Sequence, residues 1–151
     1  MSAYGLLTCV EALPLEYDVL PHGILLKNEA SVKNTTIGDI RFTGPVIIGE
    51  DSYVGNCCIL GYPDRTHLLG GEIKVTKIGR KSVIRPFSII YEDVTIGEQF
   101  ETGSHVQIRE GSRIGDQVRV GTHSIVERDV KIGNRVKIHS NNFISEYTTI
   151  G

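Results

Sequence analysis

The sequence predicts an all-β fold, a parallel β-solenoid in which short strands wind around one shared interior. A period of six residues is the first observation: from Ile78 to Ile150, twelve of the thirteen positions spaced six apart carry Ile or Val, and the exception is Thr102. A period of eighteen is the second, because glycine follows every third of these positions, at Gly79, Gly97, Gly115, Gly133 and Gly151. Three short strands per coil, with coils stacked on one another, account for both periods.

Each six-residue rung is predicted to turn one β-branched side chain into the interior, where Ile and Val suit a buried pleated wall. A second inward position lies two residues earlier and holds mostly small or β-branched residues, from Ser82 to Thr148. The glycines that recur every eighteen residues are called here the glycine column. They indicate that the backbone at these positions either has a positive φ or lies close to a neighbouring coil. An amphipathic helix is excluded, because its apolar stripe needs spacings of three and four.

The chain is predicted to be one domain over residues 1–151. Residues 1–23 show no repeat and contain prolines at positions 14 and 21, so we expect an irregular cap over the first coil. Residues 61–77 are expected to be an outward loop, because Thr66 and Glu72 fall on its sixfold positions and cannot line an apolar core. Such a loop is either functional or a solvated excursion. The sequence stops in mid-repeat at Gly151, which we interpret as a truncation rather than as a last coil capped by another chain.

Composition argues against several classes of protein. A net charge of -2 and the lack of a long basic run give no reason to expect nucleic-acid binding. No apolar run approaches the length of a membrane span, and no signal peptide is evident. The cysteines, Cys9, Cys57 and Cys58, form no disulfide framework, so a cytoplasmic location is expected. One of the adjacent pair is interpreted as a small core residue.

The repeats Ile96–Glu101 and Ile114–Arg119 resemble those of the hexapeptide-repeat acyltransferase family. The resemblance implies a left-handed β-helix, an exception to the usual right-handed crossover. Three further segments, 61–63, 84–86 and 102–110, resemble the branch that acetylates amino or hydroxyl groups of nucleotide-linked sugars. This second resemblance implies acetyl-CoA as the co-substrate, a sugar substrate and a homotrimer.

Two histidines are candidate catalytic residues. His105 and His123 are eighteen residues apart, so they should lie one above the other, about 5 Å apart, with Phe87 one coil below and Asn141 one coil above. The functional interpretation is that a neutral imidazole removes the proton of a nucleophile during acyl transfer. The alternative is that histidine is merely tolerated in this turn. The resemblance implies that His105 is the catalytic residue, with Glu92, Glu110 or Glu127 available to orient it.

Further residues are candidates for ligand contacts. A backbone N–H beside Gly103 or Gly121 could stabilise an oxyanion. Three cations late in the chain could bind the coenzyme's phosphates or could simply face solvent: Lys131, Arg135 and Lys137. The candidate substrate contacts are Tyr62, Arg65, His67, Arg109, Glu110 and Asn141.

Two other functions remain open at this stage. A zinc enzyme of the γ-carbonic anhydrase type shares the fold, but it needs two histidines five residues apart, and no such pair is present. A metal is therefore not expected. A non-catalytic scaffold is the other alternative, and the stacked histidines argue against it.

Overall fold

The computed structural model describes residues 16–20, 23–27, 36–38 and 41–151. Within these ranges, burial is described at position 38 and over 42–151. The elements, in chain order, are β1 (Glu16–Leu20), β2 (Gly23–Lys27), β3 (Thr36–Ile37), β4 (Arg41–Phe42), β5 (Pro45–Ile48), β6 (Tyr53–Val54), β7 (Ile59–Tyr62), α1 (Arg65–Leu68), β8 (Thr76–Ile78), β9 (Val83–Ile84), β10 (Ile89–Tyr91), β11 (Thr95–Ile96), β12 (Glu101–Thr102), β13 (Gln107–Ile108), β14 (Arg113–Ile114), β15 (Arg119–Val120), β16 (Ile125–Val126), β17 (Lys131–Ile132), β18 (Lys137–Ile138), β19 (Phe143–Ile144) and β20 (Thr149–Ile150).

These strands form three sheets, one for each face of the solenoid, and all pairings are parallel except that of β1 with β2. Face A has the order β1-β2-β5-β8-β11-β14-β17-β20, face B has β3-β6-β9-β12-β15-β18, and face C has β4-β7-β10-β13-β16-β19. Ile96 pairs in register with Ile78 on one side and with Ile114 on the other, so the residues eighteen apart stack in one wall as predicted. The predicted fold class, a parallel β-solenoid built from hexapeptide repeats, is confirmed and agrees with a left-handed β-helix.

The inward positions that the period predicts form the core. The sixfold aliphatic residues from Ile78 to Ile138 are buried, and so is Phe100 at a second inward position. Inward serines satisfy their hydroxyls within the wall: Ser82 Oγ donates to the Gly79 carbonyl at 2.7 Å, and Ser112 Oγ donates to the Glu127 carbonyl at 2.8 Å. Ile144 and Ile150, in the last described coil, are only partly buried.

The glycine column exists because neighbouring coils approach closely, not because φ is positive. A Cβ atom on Gly79 would lie 2.3 Å from the carbonyl oxygen of Gly97, and one on Gly97 would lie 2.7 Å from the carbonyl carbon of Gly115. Positive φ instead recurs three residues after the inward sixfold positions, mostly at non-glycine residues such as Lys81 (57°) and Gln99 (56°). The turns of the solenoid therefore place ordinary side chains in the left-handed region.

The expectation that residues 1–23 are irregular was wrong for the part that the structure describes. Glu16–Leu20 is a regular strand that pairs antiparallel with β2, from Glu16 opposite Lys27 to Leu20 opposite Gly23. Both prolines lie outside this strand, so neither removes one of its backbone donors. β1 extends the edge of face A. Residues 1–15 and 21–22 of the expected cap lie outside the described residues.

The outward loop is shorter than the predicted 61–77. Gly61 and Tyr62 end β7, and Thr76 and Lys77 belong to β8, so the excursion covers residues 63–75 and contains α1. Thr76 returns to the wall because it occupies an inward position, where it is fully buried and its hydroxyl donates to the Tyr91 carbonyl at 2.9 Å. Within the described part of the chain, no helix has the length and apolar character needed to cross a membrane.

Candidate functional site

The chain passes from face B to face C at one edge of the solenoid, called here the B–C edge, and this edge carries the two candidate catalytic histidines. Their ring centroids are 4.9 Å apart with a tilt of 36°. Below them, the Phe87 ring stacks on His105 with centroids 4.8 Å apart and an angle of 14°. The predicted column of Phe87, His105, His123 and Asn141 therefore forms, at the spacing of parallel strands.

The backbone of this edge explains which side chains it accepts. His105 and His123 both have φ of 57°, and Asn141 has 59°. His and Asn are enriched in this left-handed conformation among non-glycine residues. The equivalent turns of the other edges carry residues as different as Lys81, Asp93 and Tyr147, so the turn tolerates histidine without requiring it. The backbone therefore does not require imidazole side chains at these positions.

The three glutamates expected to orient His105 have other partners, and that expectation was wrong. Arg109 binds Glu110 through two nitrogens, at 2.8 and 3.0 Å, and contacts Glu127 at 3.5 Å. This pairing raises the pKa of the Arg109 guanidinium, chiefly through its hydrogen bond with Glu110. Glu92 binds the outward loop. All three lie at or near the edge where face C passes into face A, called here the C–A edge.

Most of the predicted substrate contacts gather at this C–A edge. The Tyr62 ring meets Tyr91 edge-on with centroids 5.2 Å apart, and the Arg109 guanidinium lies over the Tyr91 ring, 4.8 Å from its centre. His67 and Glu110 line one pocket of about 180 Å³. Arg65 is exposed on α1 of the same loop. Asn141 does not join them, because it belongs to the B–C edge.

The predicted catalytic and substrate-binding residues therefore lie on two separate edges of one chain. His105 belongs to the B–C edge, and Gly111, six residues later, lines the C–A pocket. Strand β13 of face C lies between these two positions, so one face of the solenoid separates the two edges. A single small substrate cannot be assumed to touch both edges of the same chain.

A histidine–carboxylate pair at the C–A edge is the feature that sequence reasoning missed. His67 Nδ1 lies 2.5 Å from Glu92 Oε1, whose side chain is 2% exposed. The carboxylate also accepts backbone N–H groups from Asp64 at 2.8 Å and from Lys74 at 2.7 Å. The repeat could not reveal this pair. It places Glu92, Glu110 and Arg128 at the same position of three successive coils, and the latter two residues remain partly or fully exposed. Glu92 is buried because the outward loop folds over it.

Asp64 stands next to this pair and caps α1. Its Oδ1 accepts the backbone N–H of His67 at 2.9 Å and the Thr66 hydroxyl at 2.5 Å. The Thr66 hydroxyl, followed by that N–H, holds the pKa of the Asp64 carboxyl below its usual value. Asp64, His67 and Glu92 are close enough to be considered as ligands of a metal ion. However, two ligands of a tetrahedral zinc are about 3.4 Å apart when each bond is about 2.1 Å. At 2.5 Å, His67 Nδ1 and Glu92 Oε1 are at hydrogen-bonding distance and too close together to be two ligands of one tetrahedral zinc ion.

The glycines proposed to supply oxyanion donors have their own N–H groups occupied. Gly103 N–H donates to the Val120 carbonyl at 2.8 Å, and Gly121 N–H donates to the Ile138 carbonyl at 2.9 Å. Both bonds belong to the hydrogen bonding between coils, which uses the backbone groups of each strand end. Neither glycine therefore offers its own N–H group to an oxyanion, and donation by an N–H beside Gly103 or Gly121 stays a prediction.

The three cations proposed for coenzyme phosphates do not form one cluster. Arg135 and Lys137 line a groove of about 510 Å³ on face B, together with Arg119. Lys131 lies on face A and lines a different groove with Arg113. The split arises because Lys131 precedes, and Lys137 follows, a corner of the coil. Arg135 occupies that corner, with φ of 61°.

The cysteine prediction is confirmed by burial, since Cys58 is in the core and Cys57 is exposed. Burial raises the pKa of the Cys58 thiol.

Comparison with known proteins supports the family resemblance. Residues 111–146 match the family described as bacterial transferase hexapeptide (six repeats). A search of curated proteins found no match. The matched segment lies inside the regular coils and contains His123. This finding supports a protein of the transferase kind, in a family that includes acyltransferases.

Proposed function

We propose that the protein is an acyltransferase that moves an acetyl group from acetyl-CoA to an amino or hydroxyl group of a nucleotide-linked sugar. The observation that carries the proposal is the stacked imidazole column of the B–C edge, on a solenoid whose repeats match a transferase family. His105 is proposed as the general base. Both imidazoles are exposed, and neither has a side-chain hydrogen bond or ion pair with another described residue, so a substrate can reach them.

The chemistry requires one proton transfer and no covalent enzyme intermediate. As the acceptor's nitrogen or oxygen bonds to the thioester carbonyl carbon, the imidazole takes the proton that this atom loses. The carbon–sulfur bond then breaks, and the proton passes to the leaving thiolate. The Phe87 ring under His105 restricts the imidazole to one stacked position, which favours a defined approach of the acceptor.

The coenzyme's phosphates are proposed to bind in the groove of face B. Within the described residues, neither Arg135 nor Lys137 forms an ion pair, so both charges are available to an anion. Arg119 lines the same groove but shares its charge with Glu101. Arginine binds phosphate through a planar fork of donors, and lysine adds a point charge.

The test measures thiol release from acetyl-CoA in the presence of candidate amino and hydroxyl sugars. His105→Ala should lower kcat by about 10²–10⁴, and His123→Ala should lower it less. His139→Ala is the matched control, because His139 is an exposed histidine of a neighbouring coil outside the column. If His105→Ala stays within about threefold of the parent, His105 is not the base.

A further inference from the structure

The pairing of His67 with Glu92 has no role in the function proposed above. Glu92 is the charged residue that the structure buries most completely among its described residues, at 1% exposure of the whole residue. Burying a carboxylate is costly unless its oxygens are hydrogen-bonded. Here two backbone donors and one imidazole satisfy it, and all three come from the outward loop. This carboxylate therefore joins three points of the loop to the solenoid, and the ion pair of Lys74 with Asp93 adds a further contact.

The hydrogen bonds assign the tautomer of neutral His67. A backbone N–H can only donate, so both oxygens of Glu92 act as acceptors towards Asp64 and Lys74. The remaining contact, between Glu92 Oε1 and His67 Nδ1, then needs a proton on Nδ1. Neutral His67 consequently carries its lone pair on Nε2. Many activated nucleophiles are hydrogen-bonded to a base that a third group orients in this way.

Two glycines of the loop leave the outer side of the imidazole uncovered. Gly70 and Gly71 have φ of 114° and 143°, a backbone conformation that side-chain-bearing residues rarely adopt. A Cβ atom on Gly71 would lie 2.9 Å from His67 Cδ2 and 3.7 Å from Nε2. Any larger residue at this position would thus press on the ring beside its lone pair.

The ring also borders a pocket. The space of about 180 Å³ is lined by His67 and Glu92 and by side chains from three coils, including Lys74, Glu110, Arg128 and Asp129. Lys74 is paired with Asp93, Glu110 with Arg109, and Arg128 with Glu146, whereas Asp129 has no ion pair among the described residues. A pocket of this size and polarity suits an amino or hydroxyl group with its immediate neighbours.

We infer that the outward loop carries a second proton-transfer site, in which His67 Nε2 accepts the proton of an amino or hydroxyl group bound in the C–A pocket and Glu92 is its positioning residue. The inference rests on the proposed acyl transfer for its reaction. The acceptor atom bonds to the thioester carbonyl carbon while His67 takes the proton, and the proton then passes to the departing thiolate. It is an alternative to the assignment of His105, because one acyl transfer needs one base, and the kinetics of the His67 and His105 variants decide between the two.

Reactivity towards diethyl pyrocarbonate tests His67 without any enzyme assay, because this reagent acylates neutral imidazole nitrogens. Peptide mapping should show His67 reacting faster than the exposed His139, although His67 is the less exposed of the two. Glu92→Gln should lower the rate at His67 at least fivefold and leave the rate at His139 unchanged. Equal or slower reaction of His67 in the parent protein would overturn the inference.

Kinetics of two variants separate proton transfer from a purely structural role. In His67→Asn, the amide nitrogen can still donate to Glu92, so the loop should stay in place while the base is lost. We expect kcat to fall by about 10²–10⁴, with hydrogen exchange of residues 63–75 unchanged. Glu92→Gln should lower kcat less and change the pH profile of kcat, which loss of a structural contact alone would not do. His139→Asn is the control.

The outcomes distinguish this inference from the proposed function. If His67→Asn keeps full kcat while the parent transfers acetyl groups, the inference is wrong and the proposed function stands. If the parent transfers no acetyl group but His67 shows its enhanced, Glu92-dependent reactivity, the proposed function fails and the proton-transfer site stands. Loss of kcat in His67→Asn and not in His105→Ala assigns the reaction to the C–A edge.

Discussion

At the scale of single residues, the glycine column is where the backbone of one coil leaves the least room for the next. Gly79 shows this directly, since the three atoms nearest to an added Cβ are all backbone atoms, at 2.3 to 2.7 Å. Backbone atoms cannot rotate away as a side chain can. Gly133 has the same place in its coil, but its nearest contact would be 3.4 Å. The close approach of neighbouring coils therefore requires glycine at Gly79 but not at Gly133, although both belong to the same column.

Gly79→Ala should lower the free energy of unfolding by about 1–3 kcal/mol, because the new methyl group forces two coils apart. Gly133→Ala is the matched control and should stay within about 0.5 kcal/mol of the parent. Urea denaturation followed by circular dichroism measures both values. Equal losses for the two variants would show that close approach is not the reason for the column.

At the scale of elements, ion pairs join successive coils on face B. Glu101 in β12 forms two ion pairs. Arg85 Nη1, in the coil below, lies 2.7 Å from its carboxylate, and Arg119 Nη2, in the coil above, lies 2.5 Å from it. Its hydrogen bond with Arg85, and then that with Arg119, hold the pKa of the Glu101 carboxyl below its usual value of 4.5. The stabilisation is therefore present above pH 4.5 and is lost as the pH falls through the lower pKa of the folded state.

Glu101→Gln should lower the free energy of unfolding at pH 7 by about 0.5–1 kcal/mol, since these groups are partly exposed and screened by solvent. The difference from the parent should shrink as the pH is reduced below 4.5, because the parent then loses the same charge. Urea denaturation over a pH series measures it. Glu98→Gln, which removes a single ion pair with Arg80, serves as the comparison. A difference that grows in acid would contradict the assigned sign.

The groove of face B gives a second prediction at this scale. Arg135→Ala and Lys137→Ala should each raise the KM for acetyl-CoA several-fold, with a smaller effect at high salt, because each removes a charge from the groove. Lys131→Ala should leave this KM unchanged, since Lys131 lies on face A. The measurement is KM at two ionic strengths. An effect of Lys131→Ala equal to the others would favour the single cluster expected from the sequence.

At the scale of the whole molecule, the outer surfaces of the three faces differ in polarity. The outward row of face C consists mostly of apolar residues in register: Ile59, Ile89, Gln107, Ile125 and Phe143. The corresponding row of face A carries Lys77, Thr95, Arg113, Lys131 and Thr149. Phe143 is 64% exposed, and Phe87 on the adjoining edge is 52% exposed. An apolar surface of this kind is where we expect a contact with another chain.

The homotrimer that the resemblance implies stays a prediction, and face C with the B–C edge is the surface on which to test it. Sedimentation velocity should give three times the chain mass for the parent protein. Phe143→Lys should shift the population towards the monomer, whereas Thr149→Lys, at the equivalent outward position of face A, should not. A parent protein that sediments as a monomer at micromolar concentration would contradict the trimer.

The sequence by itself determined the features that depend on local periodicity. A six-residue repeat specifies which residues face inward, and an eighteen-residue repeat specifies which residues stack. The wall of Ile78, Ile96 and Ile114 and the spacing of His105 above Phe87 follow from these two numbers, because parallel coils of constant length keep one register. The loop was recognisable for the converse reason, since Thr66 and Glu72 interrupt the pattern.

Only the tertiary structure decided where polar side chains meet, because such contacts join segments that share no period. The loop returns across the C–A edge and buries Glu92 against His67, twenty-five residues earlier in the chain. The corner at Arg135 separates Lys131 from Lys137, although the two are only six residues apart. Nor could the sequence show that residues 16–20 pair with β2, since that pairing is antiparallel and lies outside the repeat. Periodicity fixes a residue's face; the folding of irregular segments over that face sets its partners and its burial.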